Sequence, residues 1–142
     1  MRWLALDVGS ERVGVAACDG GERVTTRLSA IPFRGAAGLA DRIAVTCSER
    51  DVQVVVVGLP RTASGVGKGG RRVEAVVHAL RVRLEVPVEL EDEAGTTREA
   101  RERLEAEGVP RRRWDELVDS TAAAIILERR LARRALPTDP VA

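Results

Sequence analysis

Asp7 is a carboxylate inside an apolar run, residues 4–8 (LALDV), close to the start of the chain. A buried acid is unfavourable by several kcal/mol unless a cation or hydrogen-bond donors compensate it. Gly9 lacks a side chain just beyond the acid, which leaves room for a bulky anion at the end of the strand. Asp-x-Gly is equally typical of a strand-end acid that begins a turn, so both interpretations stay open on this motif alone.

Two further groups of acids follow much later in the chain. Glu91, Asp92 and Glu93 come directly after an alternating apolar stretch, and Asp119 precedes the apolar run at 122–127 (AAAIIL). Three adjacent acids repel one another and favour a compensating cation, although a solvated loop would also carry them. Asp119 has an alternative role as a helix cap or as a partner of the helix dipole.

The elements that must position these acids follow the order βββ-α-β-α-β-α-α. We predict strands at 2–8, 13–18, 23–30, 52–57 and 86–90, and helices at 39–50, 71–84, 97–107 and 117–136. Asp19-Gly20-Gly21 predicts a hairpin turn and 32–38 a loop. Residues 58–60 (GLP) end the fourth strand, and the glycine-rich stretch after them, 61–70, is predicted to be mobile. The β-branched run at 52–57 is typical of a central strand with helices on both of its faces.

This order predicts an α/β, ribonuclease H-like fold with a mixed five-stranded sheet, an antiparallel meander plus two parallel strands, and helices on both faces. We expect a single domain over residues 1–136 and a frayed tail at 137–142. Because the parallel strands end at one edge of the sheet, Asp7 and Glu93 should meet there. A final helix packed across the sheet would bring Asp119 to the same place.

Carboxylate oxygens are hard ligands that suit Mg²⁺ or Mn²⁺, and the three acids lack the His and Cys that zinc favours. Two such ions about 4 Å apart activate water and stabilise the leaving oxygen in phosphodiester hydrolysis. His78 is alone on a helix far from the acids, so we assign it to the surface or to packing. The residue chemistry therefore favours a metal-dependent nuclease.

Composition and charge narrow the class of protein. The chain has 142 residues, 44% hydrophobic and 32% charged, with no apolar run near the ~20 residues of a membrane span. It has no signal-peptide pattern, and Cys18 and Cys47 have neither disulfide-framework nor zinc-ligand spacing, so we expect a cytoplasmic protein that does not enter a membrane. Basic residues prevail at 61–83 and 108–142 and acids at 85–107, a distribution that suits a phosphate polymer crossing a metal site but also ordinary solvated helices.

Four motifs together resemble the YqgF/RuvX family of Holliday-junction-resolvase-like proteins, also described as nucleases of pre-16S rRNA. The opening residues 4–10 (LALDVGS) and 12–16 (RVGVA) are similar to the first motif of that family. The others are 56–60 (VVGLP) with Ser64-Gly65, then Asp92-Glu93 with 96–97 (TT) and 99–100 (EA), and finally 118–120 (VDS) with 122–127. The resemblance covers nearly the whole chain with the motifs in order.

The resemblance implies a ribonuclease H-like fold with catalytic, metal-binding carboxylates at Asp7, Glu93 and Asp119, and with Asp92 as the alternative middle acid. One departure is that the family's Arg-Leu after Asp-Glu is here Ala94-Gly95. An arginine beside a metal site would grip a phosphate. Arg12, or basic residues of the 61–72 stretch, are candidates to replace it.

Three functions follow as hypotheses. The first is a Mg²⁺- or Mn²⁺-dependent nuclease acting on structured RNA (5′-end processing of pre-16S rRNA) or on branched DNA. Its expected contacts to the nucleic-acid backbone are Arg12, Arg61, Lys68, Arg71, Arg72, Arg111 and Arg112, with Arg113 beside them. The second is a non-catalytic ribosome-assembly or junction-binding factor. The third, an actin/Hsp70-like nucleotide phosphatase, would need a second phosphate loop and a second domain.

Oligomeric state stays open at this stage. Cutting both strands of a junction would require a homodimer, whereas other nuclease activities would not. The apolar stripe of the last helix, Ile125 and Ile126, fits either the core or a subunit interface.

Overall fold

The computed structural model describes residues 1–60 and 67–135, with only the backbone for 134 and 135. Those ranges hold five strands and four α-helices in the predicted order. The elements are β1 (Trp3–Val8), β2 (Arg12–Cys18), β3 (Thr25–Pro32), α1 (Ala36–Arg50), β4 (Val54–Leu59), α2 (Lys68–Arg83), β5 (Val88–Asp92), α3 (Thr96–Ala106) and α4 (Trp114–Ala135). A 3₁₀ turn, Arg111–Arg113, leads directly into α4.

The five strands form one mixed sheet in the order β3-β2-β1-β4-β5. β1, β2 and β3 are antiparallel neighbours, whereas β4 runs parallel to β1 and β5 runs parallel to β4. This topology confirms the antiparallel meander followed by two parallel strands, with β1 at the centre. The carboxyl ends of β1, β4 and β5 consequently lie at one edge of the sheet.

Helices cover both faces of the sheet, as the continuous apolar run of β4 predicts. On one face, Leu4, Leu6 and Val57 pack with buried residues of α1 and α2. On the opposite face, Trp3 and Ala5 pack with the alanines and apolar residues of α4. Alternation along β1 therefore directs the next residue in the second series, Asp7, towards α4.

Element boundaries differ from the prediction by at most three residues. α1, α2 and α4 each begin three residues earlier than predicted, because apolar spacing marks the first buried position of a helix and not its exposed first turn. β4 begins at Val54 because the amide of Val52 still bonds the Cys47 carbonyl at the end of α1. The last three residues of the predicted glycine-rich mobile segment, 68–70, lie within α2, and Gly67 caps that helix. Residues 61–66 of the segment, and the predicted frayed tail at 137–142, lie outside the described residues.

The apolar stripe of the last helix belongs to the core. Ile125 is 2% exposed and Ile126 is fully buried, so the alternative of a subunit interface formed by these two side chains is wrong. His78 lies exposed on α2, in agreement with its assignment to the surface. Among residues 1–60 and 67–135, no helix is long and apolar enough to span a membrane.

Candidate metal and nucleic-acid site

Asp7 ends the α4-facing series of β1, and glycines flank it on both neighbouring strands. Gly14 of β2 is its antiparallel partner. On the other side, β4 pairs Val57 with Leu6, which places Gly58 beside Asp7. Glycine inside a strand commonly marks a close approach of another chain segment. Both of these glycines have that role.

Gly58 lets a side chain from β5 reach across β4. A Cβ atom at this position would lie 2.6 Å from Cδ1 of Ile126 and 2.9 Å from Oε2 of Glu93. Glu93 follows the end of β5, and its backbone amide donates to the Leu59 carbonyl at 3.2 Å. The space that the missing side chain leaves is therefore filled by the Glu93 carboxylate, which extends towards Asp7.

Gly14 lets the backbone of α4 lie directly on β2. A Cβ atom there would lie 1.9 Å from the Asp119 carbonyl oxygen, which no adjustment of side chains could relieve. The next residue, Ser120, is buried and fixes this approach: its hydroxyl accepts from the Val15 amide at 3.2 Å and donates to the Leu28 carbonyl at 2.5 Å. Asp119 is held beside the Asp7 end of the sheet by these backbone contacts.

The Asp7 carboxyl is largely buried and hydrogen-bonds with the Glu93 side chain. Burial of Asp7, its hydrogen bond with Glu93, and the charges of Glu93 and Asp119 together raise the pKa of Asp7 from 3.8 to about 8. Two carboxyl groups that meet in a partly buried place cannot both ionise without a counter-charge. The pair therefore offers oxygen ligands to a cation, and a bound cation would relieve the repulsion between the two carboxylates.

Among the acids that alternate along and just after β5, only the one beside Asp7 lacks a basic partner in the described part of the chain. Glu89 forms an ion pair with Arg130 at 2.7 Å, and Glu91 forms one with Arg133 at 2.6 Å. Glu93 continues the same series, but no arginine or lysine of the described part of the chain forms an ion pair with it. Its side chain hydrogen-bonds with Asp7 instead. Of the three, Glu93 is the acid that an external cation would neutralise.

Asp92, the alternative middle acid, is engaged in its own turn. Its Oδ1 accepts a hydrogen bond from the backbone amide of Ala94 at 2.9 Å. This arrangement closes the turn between β5 and α3 and presents Glu93, the residue between them, to Asp7. The geometry thus favours Glu93 as the middle acid.

Asp119 is close enough to raise the pKa of Asp7, but its carboxylate is bound elsewhere. Its Oδ2 accepts from Nε of Arg12 at 2.9 Å. Within residues 1–60 and 67–135, no three His, Cys, Asp or Glu side chains come together closely enough to hold a metal ion. The structure brings Asp7 and Glu93 together and leaves Asp119 next to them in an ion pair.

An open cavity of about 280 Å³ gives access to the carboxylate pair. Asp7 and Glu93 line it, with Pro60 on one side and residues 94–98 on the other. Arg98, which the sequence reasoning missed, lies on this rim with an exposed guanidinium. Arg12 lines a second, larger groove of about 660 Å³ between β3 and the beginning of α4.

The basic residues expected to contact nucleic acid lie at three places. Arg12 is exposed at the start of β2, Lys68 and Arg71 are exposed and Arg72 partly exposed in the first turns of α2, and Arg111 and Arg112 are exposed in the 3₁₀ turn. The guanidinium of Arg111 lies 4.7 Å from the ring centroid of Trp114. Asp119 comes five residues after Trp114, about 7.5 Å along the helix axis, so this turn is near the acid end of α4. Arg61 lies outside the described residues.

Besides Arg98, three sequence features were missed as parts of the site: Gly14, Gly58 and Ser120. Glycine inside an otherwise apolar strand is the signal that marks the first two. For Ser120, a hydroxyl next to Asp119 and before a wholly apolar helix face is the only indication.

Comparison with known proteins identifies the family of this chain. The family model described as RuvX, Holliday junction resolvase, matches residues 1–133. A Gloeothece citriformis protein is 39% identical over 132 residues, 92% of this chain and 87% of its own length, and a Streptomyces avermitilis protein is 38% identical over 132 residues, 92% and 85%. Both relatives are provisionally named as pre-16S rRNA nucleases.

Solved structures share the fold at low sequence identity. Thermus thermophilus RuvC in complex with a Holliday junction substrate superposes with a TM-score of 0.59 at 17% identity, covering 93% of this chain and 96% of RuvC. The fowlpox virus resolvase, solved with Holliday junction DNA, gives 0.56 at 10% identity, covering 96% and 100%. The fold is therefore ribonuclease H-like, and the chain belongs to the RuvX family of Holliday junction resolvases.

Proposed function

We propose that this chain is a divalent-metal-dependent nuclease that hydrolyses phosphodiester bonds in structured RNA, including the 5′ end of pre-16S rRNA, or in branched DNA. The observation that carries the proposal is the Asp7–Glu93 pair, which meets at one edge of the sheet beside Asp119. The family match and the named relatives support the reaction class. We further propose that residues 1–136 form one cytoplasmic nuclease domain.

The residues present fit Mg²⁺ or Mn²⁺. Asp7 and Glu93 supply oxygen ligands, are in hydrogen-bond contact with each other, and open onto a cavity. Bound there, a divalent ion activates water and stabilises negative charge on the scissile phosphate. Asp119 completes the ligand set when it is released from Arg12.

Arg12 has a double role in this proposal. Its guanidinium, about half exposed, now donates to Asp119. Like a carboxylate, a phosphate presents two anionic oxygens that a guanidinium can bind together, so an arriving nucleic-acid backbone competes for Arg12 and frees Asp119. Arg12 would thereby take the place of the family arginine that is Ala94 here.

The other basic residues hold the backbone on either side of the acids. Lys68, Arg71 and Arg72 lie at the start of α2, and Arg111 and Arg112 lie in the turn before α4; Arg61 is expected to join the first group. Contacts to phosphates make binding strongly dependent on salt concentration.

The test is cleavage by the purified protein with Mg²⁺ or Mn²⁺, on a 5′-extended 16S rRNA fragment, a four-way DNA junction and a linear duplex. Wild type should cut at least one of the first two, and Asp7→Asn, Glu93→Gln and Asp119→Asn should each reduce the rate by 100-fold or more, an order-of-magnitude expectation. Glu105→Gln, an exposed acid on α3, is the matched control and should behave as wild type. Equal rates for wild type and Asp7→Asn would refute the proposal. Sedimentation of the protein with a four-way junction distinguishes a monomer from the homodimer that junction cutting would require.

A non-catalytic binding factor is the second candidate, and the Arg12–Asp119 ion pair favours it because one of the three acids is already neutralised. That function predicts tight binding of RNA or junction DNA in EDTA. It also predicts the same affinity for Asp7→Asn, and no cleavage with any divalent ion.

A further inference from the structure

Arg129 lies on α4 and binds the backbone of the turn that carries Glu93. Its Nη1 donates to the Ala94 carbonyl at 2.8 Å and to the Asp92 carbonyl at 3.3 Å. Its Nη2 donates to Oε2 of Glu99 at 3.3 Å. The two carbonyls belong to the residues immediately before and after Glu93. One guanidinium therefore spans the main chain on both sides of that acid.

The neighbouring arginines of α4 bind differently. Arg130 and Arg133 pair with the carboxylates of Glu89 and Glu91 on β5, whereas Arg129 binds main-chain oxygens as well as the carboxylate of Glu99. A planar guanidinium with several fixed donors can hold two carbonyls and a carboxylate at once, which the point charge of a lysine cannot. The side chain of Arg129 is 32% exposed, so water competes only in part for these bonds.

Through Arg129, the turn that carries Glu93 is fixed to α4, the helix that also carries Asp119. Asp119 lies ten residues before Arg129, about 15 Å along the helix axis. Between them, Ile126 approaches Gly58 at the place where Glu93 crosses β4. α4 thus sets the positions of two of the three acids, one directly and one through Arg129.

We infer that Arg129 is a positioning residue that fixes the turn at 92–94, so that the Glu93 carboxylate is held against Asp7 in the arrangement a divalent ion requires. The inference rests on the proposed function, in which Asp7 and Glu93 are ligands. Arg129 itself touches neither the ion nor the substrate. It acts on the distance between the two carboxylates through the backbone of Glu93.

The test compares Arg129→Met with Arg133→Met by calorimetric titration of Mn²⁺ into metal-free protein. Both substitutions remove one positive charge and one ion pair from the same helix, but only Arg129 binds the turn. We expect Arg129→Met to weaken Mn²⁺ binding about 10-fold, as loss of a group that orients a metal ligand does. Arg133→Met should change the Mn²⁺ affinity less than about twofold, because it removes a positive charge without touching the Glu93 turn.

Arg129→Lys should recover part of the lost affinity, because an ammonium group can still reach one of the two carbonyls. In the nuclease assay, the Mn²⁺ concentration for half-maximal rate should rise in parallel for Arg129→Met, while the rate at saturating Mn²⁺ stays within about threefold of wild type, an order-of-magnitude expectation. Equal Mn²⁺ affinities for Arg129→Met and wild type would overturn the inference. Equal weakening by Arg129→Met and Arg133→Met would also overturn it, because it would show an effect of charge alone.

A double-mutant cycle without metal, with the free energy of unfolding measured in EDTA, separates this inference from the proposed function. In the wild-type background, Asp7→Asn removes the electrostatic repulsion between Asp7 and Glu93 and should raise the free energy of unfolding. In the Arg129→Met background this increase should be less than half as large, because Glu93 is no longer held against Asp7. If wild type binds no Mn²⁺, the proposed function fails and this cycle still decides the inference. An unchanged stabilisation in the cycle would refute the positioning role.

Discussion

Asp7→Asn should stabilise the metal-free protein at neutral pH, although Asp7 is the central residue of the proposed site. The folded chain keeps the Asp7 carboxyl in a partly buried position against Glu93, where its pKa is raised from 3.8 to about 8. Asn has nearly the same size, carries no charge, and its amide can donate a hydrogen bond to the Glu93 carboxylate. The substitution therefore removes an electrostatic conflict without creating a cavity.

The sign of the pH dependence follows from where the proton is held. Between pH 4 and pH 8 the unfolded chain releases the Asp7 proton and the folded chain retains it, so the folded state binds more protons. The free energy of unfolding then falls as pH rises through this window. The favourable contribution of the retained proton is complete below about pH 4 and is lost as pH approaches 8.

The expected stabilisation by Asp7→Asn grows by about 1.4 kcal/mol for each pH unit above the pKa that Asp7 has in the unfolded chain. At pH 7 this gives an upper limit of about 4 kcal/mol. Water reaches the pair through the open cavity, so we expect about 2 kcal/mol of stabilisation by Asp7→Asn at pH 7. The difference from wild type should vanish near pH 4.

The assay is urea unfolding followed by circular dichroism in EDTA, from pH 4 to pH 8.5. Glu105→Gln is the control for loss of one negative charge at an exposed position and should show no such pH-dependent gain. A wild type as stable as Asp7→Asn at pH 7.5 would refute the reasoning. A difference that does not change with pH would refute it as well.

Three further predictions concern packing and charge. Gly58→Ala places a methyl group against Ile126 and Glu93, and should lower the free energy of unfolding in urea by about 1–3 kcal/mol. Gly38→Ala is the control: this residue of α1 has open space around it, and the substitution should raise the free energy of unfolding by about 0.5–1 kcal/mol. Ser120→Ala removes one hydrogen bond from the Val15 amide and one from the Leu28 carbonyl, and should lower the free energy of unfolding by about 1–3 kcal/mol, with thermal melting as an independent check. Arg112→Gln should lower the slope of log affinity against log salt by about 1 in RNA or junction binding, while Arg133→Gln, whose cation is already paired within the fold, should leave it unchanged.

The sheet was predictable because its signals are local to each element. The β-branched run of β4 indicates burial on both faces, and the hairpin glycines with the short alternating strands indicate the meander. From the parallel order of β1, β4 and β5, the sequence also predicts that Asp7 and Glu93 meet at one edge, and the structure brings them together. What the pattern misses is the reason they can touch, since β4 lies between them and only Gly58 leaves a passage.

The ion pairs could not be predicted, because each depends on the packing of α4 against a distant part of the chain. Arg12 and Asp119 are 107 residues apart in sequence, and their pairing follows from the close contact of α4 with β2 at Gly14. Gly9 is a smaller example. A Cβ atom there would lie 2.7 Å from the Arg12 carbonyl, so this glycine closes the β1–β2 turn whether or not an anion approaches.

The distribution of charge has a different meaning in the folded chain than in the sequence. The acidic stretch at 85–107 and the basic end of the chain suggest separate surfaces, yet α4 lies against β5 and α3 and neutralises much of that acidity internally. Arg103 pairs with Glu128 as well, which adds to the arginine–glutamate pairs between α4 and its neighbours. Glu93 is left without such a partner in the described part of the chain. A carboxylate that no arginine or lysine of the described chain pairs with is thereby placed beside Asp7, where a divalent cation would be bound.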